Sequence, residues 1–357
     1  MARRRTGTVG FSLEGDTVKY LELQGGLGSK SRIGIWGTRR FGAVEEPVSG
    51  VIPDEPPAEE TGEVPVEEDS EIVAGGPLMQ PWTIGVLQKL RRYPVFASLP
   101  DADVLVKFIS LPELSESEVA RMVELRHREY LPMPKADIVY DFCITRFDLN
   151  HPGAEDEEES PAGEAELRVM VSGIERGAYL GLREVMNERK VILRSIELNQ
   201  MALTRACNYL LGEENPGTYA ILYLNDTYSM INFVVEGGLY YSRLLEQGLS
   251  VLTPDSAGMR RLERLLRELY RSVDFFSVES RGIPVELLYL VNGGVAADPA
   301  LGHRILSFLA ERLAVEVRLL HDEAEKSDRL ALPAGLQAGT LAIPLGLALR
   351  SRSEAGL

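Results

Sequence analysis

The stretch TVGFSLEGDTVKYLEL, residues 8–23, decides the fold of this chain, because its pattern recurs as YAILYLNDTYSMINFVV, residues 219–235. Each copy has two strand-like runs joined by a polar turn, Glu14–Asp16 in the first and Asn225–Thr227 in the second. Each copy then opens the same order of predicted elements, a three-stranded meander followed by helix, strand, helix, strand and helix. The repetition predicts two similar lobes with ligand and partner sites in the cleft between them. The two turns are where phosphate would be bound.

The charge of the chain is concentrated in two segments. Of the net charge of −16, eleven acidic residues and no Lys or Arg lie in residues 41–88, and seven acidic residues lie in residues 151–167. The remainder is nearly neutral. Acidic segments repel phosphate backbones, so the composition disfavours a nucleic-acid partner.

The two cysteines, Cys143 and Cys207, have no metal-ligand spacing, and their number fits a reducing cytoplasm. The N-terminal residues predict no secretory signal. The uncharged stretch Leu330–Leu349 is long enough to span a membrane but is broken by proline and glycine. It favours a loop followed by a buried closing helix, Leu341–Arg350.

The predicted fold class is α/β, with two lobes, an insert and two acidic loops. We expect the first lobe, called lobe 1A below, at residues 1–40, 78–94, 165–212 and 341–357. We expect the insert at residues 95–148 and the second lobe, called lobe 2A below, at residues 213–340. The acidic loops are expected at residues 41–77 and 149–164. These loops are too poor in apolar residues to order themselves, and the first is also rich in proline.

Five stretches, in this order, resemble the PilM family of type IV pilus assembly proteins and the related cytoplasmic part of the type II secretion protein GspL. They are VFASLP at residues 95–100, EYLPMP at 129–134, RSVDFF at 271–276, VNGG at 291–294 and LGLALR at 345–350. The resemblance covers nearly the whole chain apart from the acidic loops. It implies an actin-like fold, a duplicated RNase H-like architecture with an inserted α+β 1C-type subdomain.

The chain departs from this family at the phosphate-binding turns. The family's first turn reads roughly Gly-Ile-Asp-Ile-Gly, and the matching residues here include Ser12 and Glu14; its second reads Asp-Ile-Gly, matched by Tyr223 and Asn225. Gly293 and Gly294, which match the family's adenosine-side loop, are retained. Fewer residues than usual lie between Arg243 and Tyr270, which predicts a reduced 2B subdomain.

These departures predict a degenerate nucleotide site. Carboxylates organise Mg²⁺, and glycines let backbone N–H groups approach phosphate. We expect Glu14 to place a negative charge, and Tyr223 a bulky ring, where the nucleotide would sit, so that no cofactor or metal binds and the protein is not an enzyme. The alternative is an ATP-binding or ATP-hydrolysing protein with Mg-ATP in a rebuilt site, in which Asp16 or Asp226 replaces the lost acids. We expect both residues to belong to turns.

The family resemblance also implies a partner and a location. PilM-like proteins lie in the cytoplasm at the inner membrane and bind the cytosolic N-terminal tail of PilN, so any membrane contact is indirect. The tail docks near the corner formed here by Tyr130, Leu131, Pro132 and Met133. The alternative is that these apolar residues close the core of the insert, and the sequence leaves both interpretations open.

Overall fold

The computed structural model describes residues 7–25, 30–41, 48–51, 77–133, 137–147, 166–212, 217–295, 299–327 and 329–354. The strands are β1 Thr8–Glu14, β2 Thr17–Gln24, β3 Ser31–Arg40, β4 Val48–Val51, β5 Pro94–Ser98, β6 Val104–Pro112, β7 Ile138–Arg146, β8 Glu166–Glu175, β9 Ile192–Glu197, β10 Thr218–Leu224, β11 Ser229–Val235, β12 Gly238–Leu245, β13 Leu287–Asn292, β14 Glu316–Leu319 and β15 Leu330–Ala331. The helices are α1 Pro81–Leu90, α2 Glu116–Tyr130, α3 Arg176–Glu188, α4 Asn199–Leu211, α5 Ser256–Glu279, α6 Pro299–Ala310, α7 Leu320–Lys326 and α8 Ala342–Glu354.

Two sheets repeat one topology, which confirms the predicted duplication. In lobe 1A the order is β15-β3-β2-β1-β5-β9, with β4 beside β3, and in lobe 2A it is β12-β11-β10-β13-β14. In each sheet the first strand of the meander is antiparallel to the second and parallel to the strand that follows the first helix. The two polar turns therefore occupy equivalent places, at the ends of β1 and β10.

One continuous core joins the two lobes. It contains Leu21 from the inner face of the first sheet, Ile221 from the inner face of the second, and residues of α4 and α8. Two glycines allow the close packing of α8: a Cβ on Gly10 would overlap the carbonyl oxygen of Pro344, and one on Gly346 would overlap that of Ala202. The closing helix is therefore a buried element, as the sequence predicted. In the described ranges no helix is both long and apolar enough to cross a membrane.

The strand composition of the predicted insert was wrong in two places. β5, expected in the insert at Val95–Ser98, pairs with β1 and β9 in the sheet of lobe 1A. β8, assigned to lobe 1A in the predicted range 165–212, is instead the central strand of the insert sheet β6-β8-β7. The physical reason is burial: Phe96 packs in the inner core of lobe 1A, whereas Val169 and Val171 pack under α2.

Two further boundaries also differ from the prediction. Residues 48–51, expected within the disordered acidic loop 41–77, form β4 against β3. Residues 330–331, expected in lobe 2A, pair with β3 as β15. Short strand pairings of this kind carry almost no signal in composition. Residues 42–47 and 52–76 of the first predicted acidic loop, and all of the second, residues 149–164, lie outside the described residues.

The predicted reduction of the 2B subdomain is confirmed. β12 ends at Leu245 and α5 begins at Ser256, so residues 246–255 are the whole connection. The N-terminus of α5 is capped by Asp255, whose side chain accepts a hydrogen bond from the Gly258 amide at 2.8 Å.

The insert is fastened to both lobes. Ile174, near the end of β8, is part of the outer core of lobe 1A. At the other end of β8, the buried Arg168 forms an ion pair with Glu279 of α5 at 3.0 Å, and its guanidinium lies 4.7 Å from the ring centroid of Tyr240 in lobe 2A. A cation held by an acid and an aromatic face is a specific contact, so β8 connects the two lobes.

Candidate functional site

The two polar turns meet across the interlobe cleft through a buried ion pair. Glu14, the last residue of β1, lies 2.7 Å from the ammonium group of Lys19 on β2, measured from Oε2 to Nζ. Both side chains are fully buried. The strand register explains the contact, because Ser12 pairs with Lys19 and Glu14 pairs with Thr17, so all four side chains lie on one face. Ser12 donates a hydrogen bond of 2.6 Å to the other carboxylate oxygen of Glu14.

Lobe 2A supplies the remaining partners of this pair. The Lys19 ammonium donates to the Tyr223 hydroxyl at 2.9 Å and to the Gly293 carbonyl oxygen at 2.5 Å. The Tyr223 hydroxyl in turn donates to Glu14, and the Asn225 side-chain amide donates to the same carboxylate oxygen at 3.1 Å. We call Glu14, Lys19, Tyr223 and Gly293 the Lys19 cluster.

The protonation of Tyr223 is fixed by its surroundings. Burial, reinforced by the neighbouring Glu14 carboxylate, raises the pKa of the Tyr223 phenol well above its usual value. The hydroxyl therefore keeps its proton at physiological pH and acts as a donor to Glu14 while accepting from Lys19.

The structure corrects the electrostatic part of the sequence prediction. Glu14 was expected to place a repelling negative charge where phosphate would sit, but Lys19 neutralises that charge within the folded chain. What occupies the cleft is a set of buried side chains. Sequence reasoning missed Lys19, although a signal existed: Lys19 shares its strand face with the core residues Leu21 and Leu23.

The glycine pair after β13 packs against this set. A Cβ on Gly293 would overlap the ring of Tyr223, and one on Gly294 would come within 2.7 Å of Leu249 and 2.8 Å of Asp226. The sequence identified Gly293 and Gly294 as remnants of an adenosine-side loop. In the structure, the Tyr223 ring occupies the space that a side chain at position 293 would need.

A second contact between the lobes lies beside the first, and its carboxylate has no cationic partner among the residues that the structure describes. Asp101, in a short 3-10 helix after β5, accepts hydrogen bonds from the Tyr228 hydroxyl of lobe 2A and from the Asn199 amide, the latter at 2.9 Å. The pKa of Asp101 is raised to about 7, mainly by burial and to a smaller extent by the nearby Glu14, against the lowering effect of the hydrogen bonds from Tyr228 and Asn199. Asp101 is therefore part of the cleft.

The other acids considered from sequence have structural partners. Asp16 forms an ion pair with Arg40 at 3.0 Å, and Asp226 accepts a hydrogen bond from the Val295 amide at 3.0 Å. Glu197, at the end of β9, is bound by Arg205 through two bonds of 2.5 and 2.7 Å. Among the described residues no group of three or more His, Cys, Asp or Glu is arranged to hold a metal ion.

The residues proposed for partner binding are divided between core and surface. Tyr130 and Leu131 belong to the core of the insert, and Leu131 packs against Gly173 of β8. Pro132 is exposed and Met133 is half-buried. Any docking at this corner therefore involves Pro132 and Met133 directly, with Tyr130 and Leu131 as support.

Comparisons with known proteins establish the fold. A scan against protein-family models and a search of curated proteins found no match. Among solved structures, a chain of the PilM-PilN type IV pilus biogenesis complex matches with a TM-score of 0.65 and 18% identity, over 97% of this chain and 98% of that one. This match confirms the actin-like fold that the sequence resemblance implied.

Two other solved structures match at lower similarity. EutJ of Carboxydothermus hydrogenoformans gives a TM-score of 0.43 and 10% identity, over 96% of this chain and 89% of that one. The cytoplasmic domain of EpsL, an inner-membrane component of the type II secretion system of Vibrio cholerae, gives 0.41 and 11%, over 97% and 95%.

Proposed function

We propose that this chain is a non-catalytic, actin-like scaffold, a pseudo-ATPase, of a type IV pilus inner-membrane assembly platform or of the related type II secretion platform. The observation that carries this proposal is the Lys19 cluster, whose buried side chains bridge the cleft where the fold would hold a nucleotide. An actin-like ATPase places Mg²⁺ and a triphosphate between these two turns. Among the described residues, the Glu14 carboxylate at this place is paired with Lys19, and the Tyr223 ring lies against Gly293, which supports the proposal.

We further propose a partner of the kind named in the matching complex. The chain would bind the cytosolic N-terminal tail of a PilN-like inner-membrane protein, at the surface that includes Pro132 and Met133. It would then reside in the cytoplasm, peripheral to the inner membrane, with the membrane reached only through this partner. The apolar, adaptable Met133 side chain at an exposed corner supports such a contact.

The non-catalytic part of the proposal is tested with nucleotide. A ligand that prefers the folded state raises the melting temperature, and one present at a hundred times its Kd adds about 2.7 kcal/mol of stability. We expect millimolar Mg-ATP to shift the melting temperature by less than about 1 °C and to release no heat in calorimetry. A saturable rise, or phosphate release above buffer, would favour the ATP-binding alternative.

The partner is tested with a peptide. A synthetic copy of the cytosolic tail of the membrane protein encoded beside this gene is titrated by calorimetry into the wild type, Met133→Asp and Leu125→Asp. Leu125, on the outer face of α2 in the same insert, is 76% exposed and provides the matched control. We expect Met133→Asp alone to weaken binding by about tenfold or more. Equal losses in both variants would move the site elsewhere, and no heat with the wild type would refute the partner.

A further inference from the structure

The ammonium group of Lys19 sits in a cage of three oxygen atoms. It lies 2.7 Å from the Glu14 carboxylate, 2.9 Å from the Tyr223 hydroxyl and 2.5 Å from the Gly293 carbonyl. A lysine ammonium has three N–H donors, so every donor has a partner. The three acceptors differ in charge and in origin, since one comes from lobe 1A and two come from lobe 2A.

The cage is buried and shaped for a small cation on a narrow stem. Glu14, Lys19 and Tyr223 have no exposed surface, and the ammonium lies 5.6 Å from the centroid of the Tyr223 ring. A buried carboxylate without a cation carries a large desolvation cost. Removal of the Lys19 side chain would therefore leave a negatively charged cavity. A small cation with three N–H donors, like the lysine ammonium, would fit it.

We propose that the interlobe cleft is a binding site for a primary ammonium group, permanently occupied by the Lys19 side chain, and that this internal cation holds the two lobes together without a diffusible ligand. In an actin-like fold that binds nucleotide, the oxygen atoms of the two turns face each other through metal and phosphate. Here Lys19 supplies the positive charge from within the chain. The proposal rests on the cleft being free of nucleotide, which the proposed function also states.

The cage can be tested by chemical rescue of Lys19→Ala. We expect this variant to melt about 5 to 15 °C below the wild type, because it leaves Glu14 unpaired. Methylammonium and ethylammonium chloride, at up to about 100 mM, should restore about 2 to 4 °C in a saturable manner by binding the folded state. Tetramethylammonium chloride at the same ionic strength has no N–H donor and should restore nothing. None of the three salts should affect the wild type or Lys107→Ala, which alters an exposed lysine of β6.

The separation of the two lobes can be measured independently of the melting temperature. The radius of gyration of Lys19→Ala, measured by small-angle scattering, should exceed that of the wild type and return toward it with ethylammonium. If Lys19→Ala does not accumulate as folded protein, the same amines are compared for their yield of refolded protein, with the same expectation.

Three outcomes would overturn the proposal. They are a melting temperature of Lys19→Ala within about 2 °C of the wild type, equal rescue by tetramethylammonium, and absence of rescue by both primary amines. The two proposals fail separately. Binding of Mg-ATP to the wild type contradicts the pseudo-ATPase, whereas loss of amine rescue without any ATP binding contradicts only the internal cation.

Discussion

The two contacts that join the lobes across the cleft are built alike and differ in one group. In each, a carboxylate of lobe 1A accepts a hydrogen bond from the hydroxyl of a lobe 2A tyrosine. Tyr223 donates to Glu14, and Tyr228 donates to Asp101. Glu14 has a lysine at 2.7 Å, whereas the hydrogen-bond donors to Asp101, Tyr228 and Asn199, are neutral. The comparison shows that burial alone does not decide whether an interlobe carboxylate is held by a cation or by neutral hydrogen-bond donors. Lys19 makes the Glu14 contact an ion pair, whereas the Asp101 contact, which is held by neutral donors, is sensitive to pH.

The largest expected effect comes from removing the cation from the first contact. Lys19→Met should lower the free energy of unfolding by about 3 to 5 kcal/mol, because it leaves the buried Glu14 charge unpaired. The double variant Lys19→Met, Glu14→Gln should recover much of this loss, since no charge then remains. Urea denaturation of the wild type, both single variants and the double variant measures the coupling. Additive losses would show that the two groups do not interact.

The next effect concerns the second contact and pH. The folded chain keeps the pKa of Asp101 near 7, whereas an unfolded aspartate titrates at about 3.9. The folded state therefore holds a proton that the unfolded state has released. Stability should fall as pH rises from about 4 to about 7 and level off above that, by on the order of 2 to 4 kcal/mol.

Asp101→Asn should remove this part of the pH dependence. Glu14, Tyr228 and Asn199 face Asp101, and the asparagine amide placed among them has no proton to lose over this pH range. Unfolding free energies at pH 5 and pH 8 measure the slope, with the exposed Asp141→Asn as control. Parallel slopes for Asp101→Asn and the wild type would contradict the assignment.

A smaller effect is expected at the glycine beside the first contact. The Cβ of Gly293→Ala would meet the Tyr223 ring, and displacing a ring that is held by Glu14 and Lys19 should cost about 1 to 3 kcal/mol. Gly85→Ala is the control, because its added Cβ in α1 has no neighbour within 4 Å, and helix propensity should make it stabilising by about 0.5 to 1 kcal/mol. Thermal or urea unfolding distinguishes the two, and a Gly293→Ala variant as stable as the wild type would show that the ring is loosely held.

The smallest effect should come from Tyr228→Phe. It removes one hydrogen bond to Asp101 while Asn199 still donates to that carboxyl, so we expect a loss of about 1 kcal/mol. Tyr223→Phe should cost more, since its hydroxyl both donates to Glu14 and accepts from Lys19. A reversed order in urea denaturation would contradict the comparison between the two contacts.

The sequence predicted what local patterns encode. Alternation in residues 8–23 and 219–235 predicted the two meanders, and both form as antiparallel strand pairs. The start of α2 is also encoded locally, since Ser115 and Glu118 form reciprocal capping bonds. Strand partnership is not local, and for that reason β5 and β8 were exchanged between lobe and insert. The apolar residues of the two strands look alike in sequence, and the packing of Phe96 and Val169 in different cores separates them.

The candidate site was predicted at its position but not in its chemistry. Glu14 and Tyr223 were identified because they replace family residues, yet Lys19 escaped because a lysine in a strand is usually solvated. Its alternation with Leu21 and Leu23 was the available signal. Asp101 could not be placed, since its nearness to Tyr228 depends on a contact across 127 positions of the chain.

Arg168 has a consequence for how load would pass through the molecule. The β8 strand is anchored at one end in lobe 1A by Ile174 and at the other to lobe 2A by the pairing of Arg168 with Glu279. A force applied to the insert would therefore be passed to both lobes. We expect the β6-β8-β7 unit to act as a strut between the two lobes, because β8 is held at both ends.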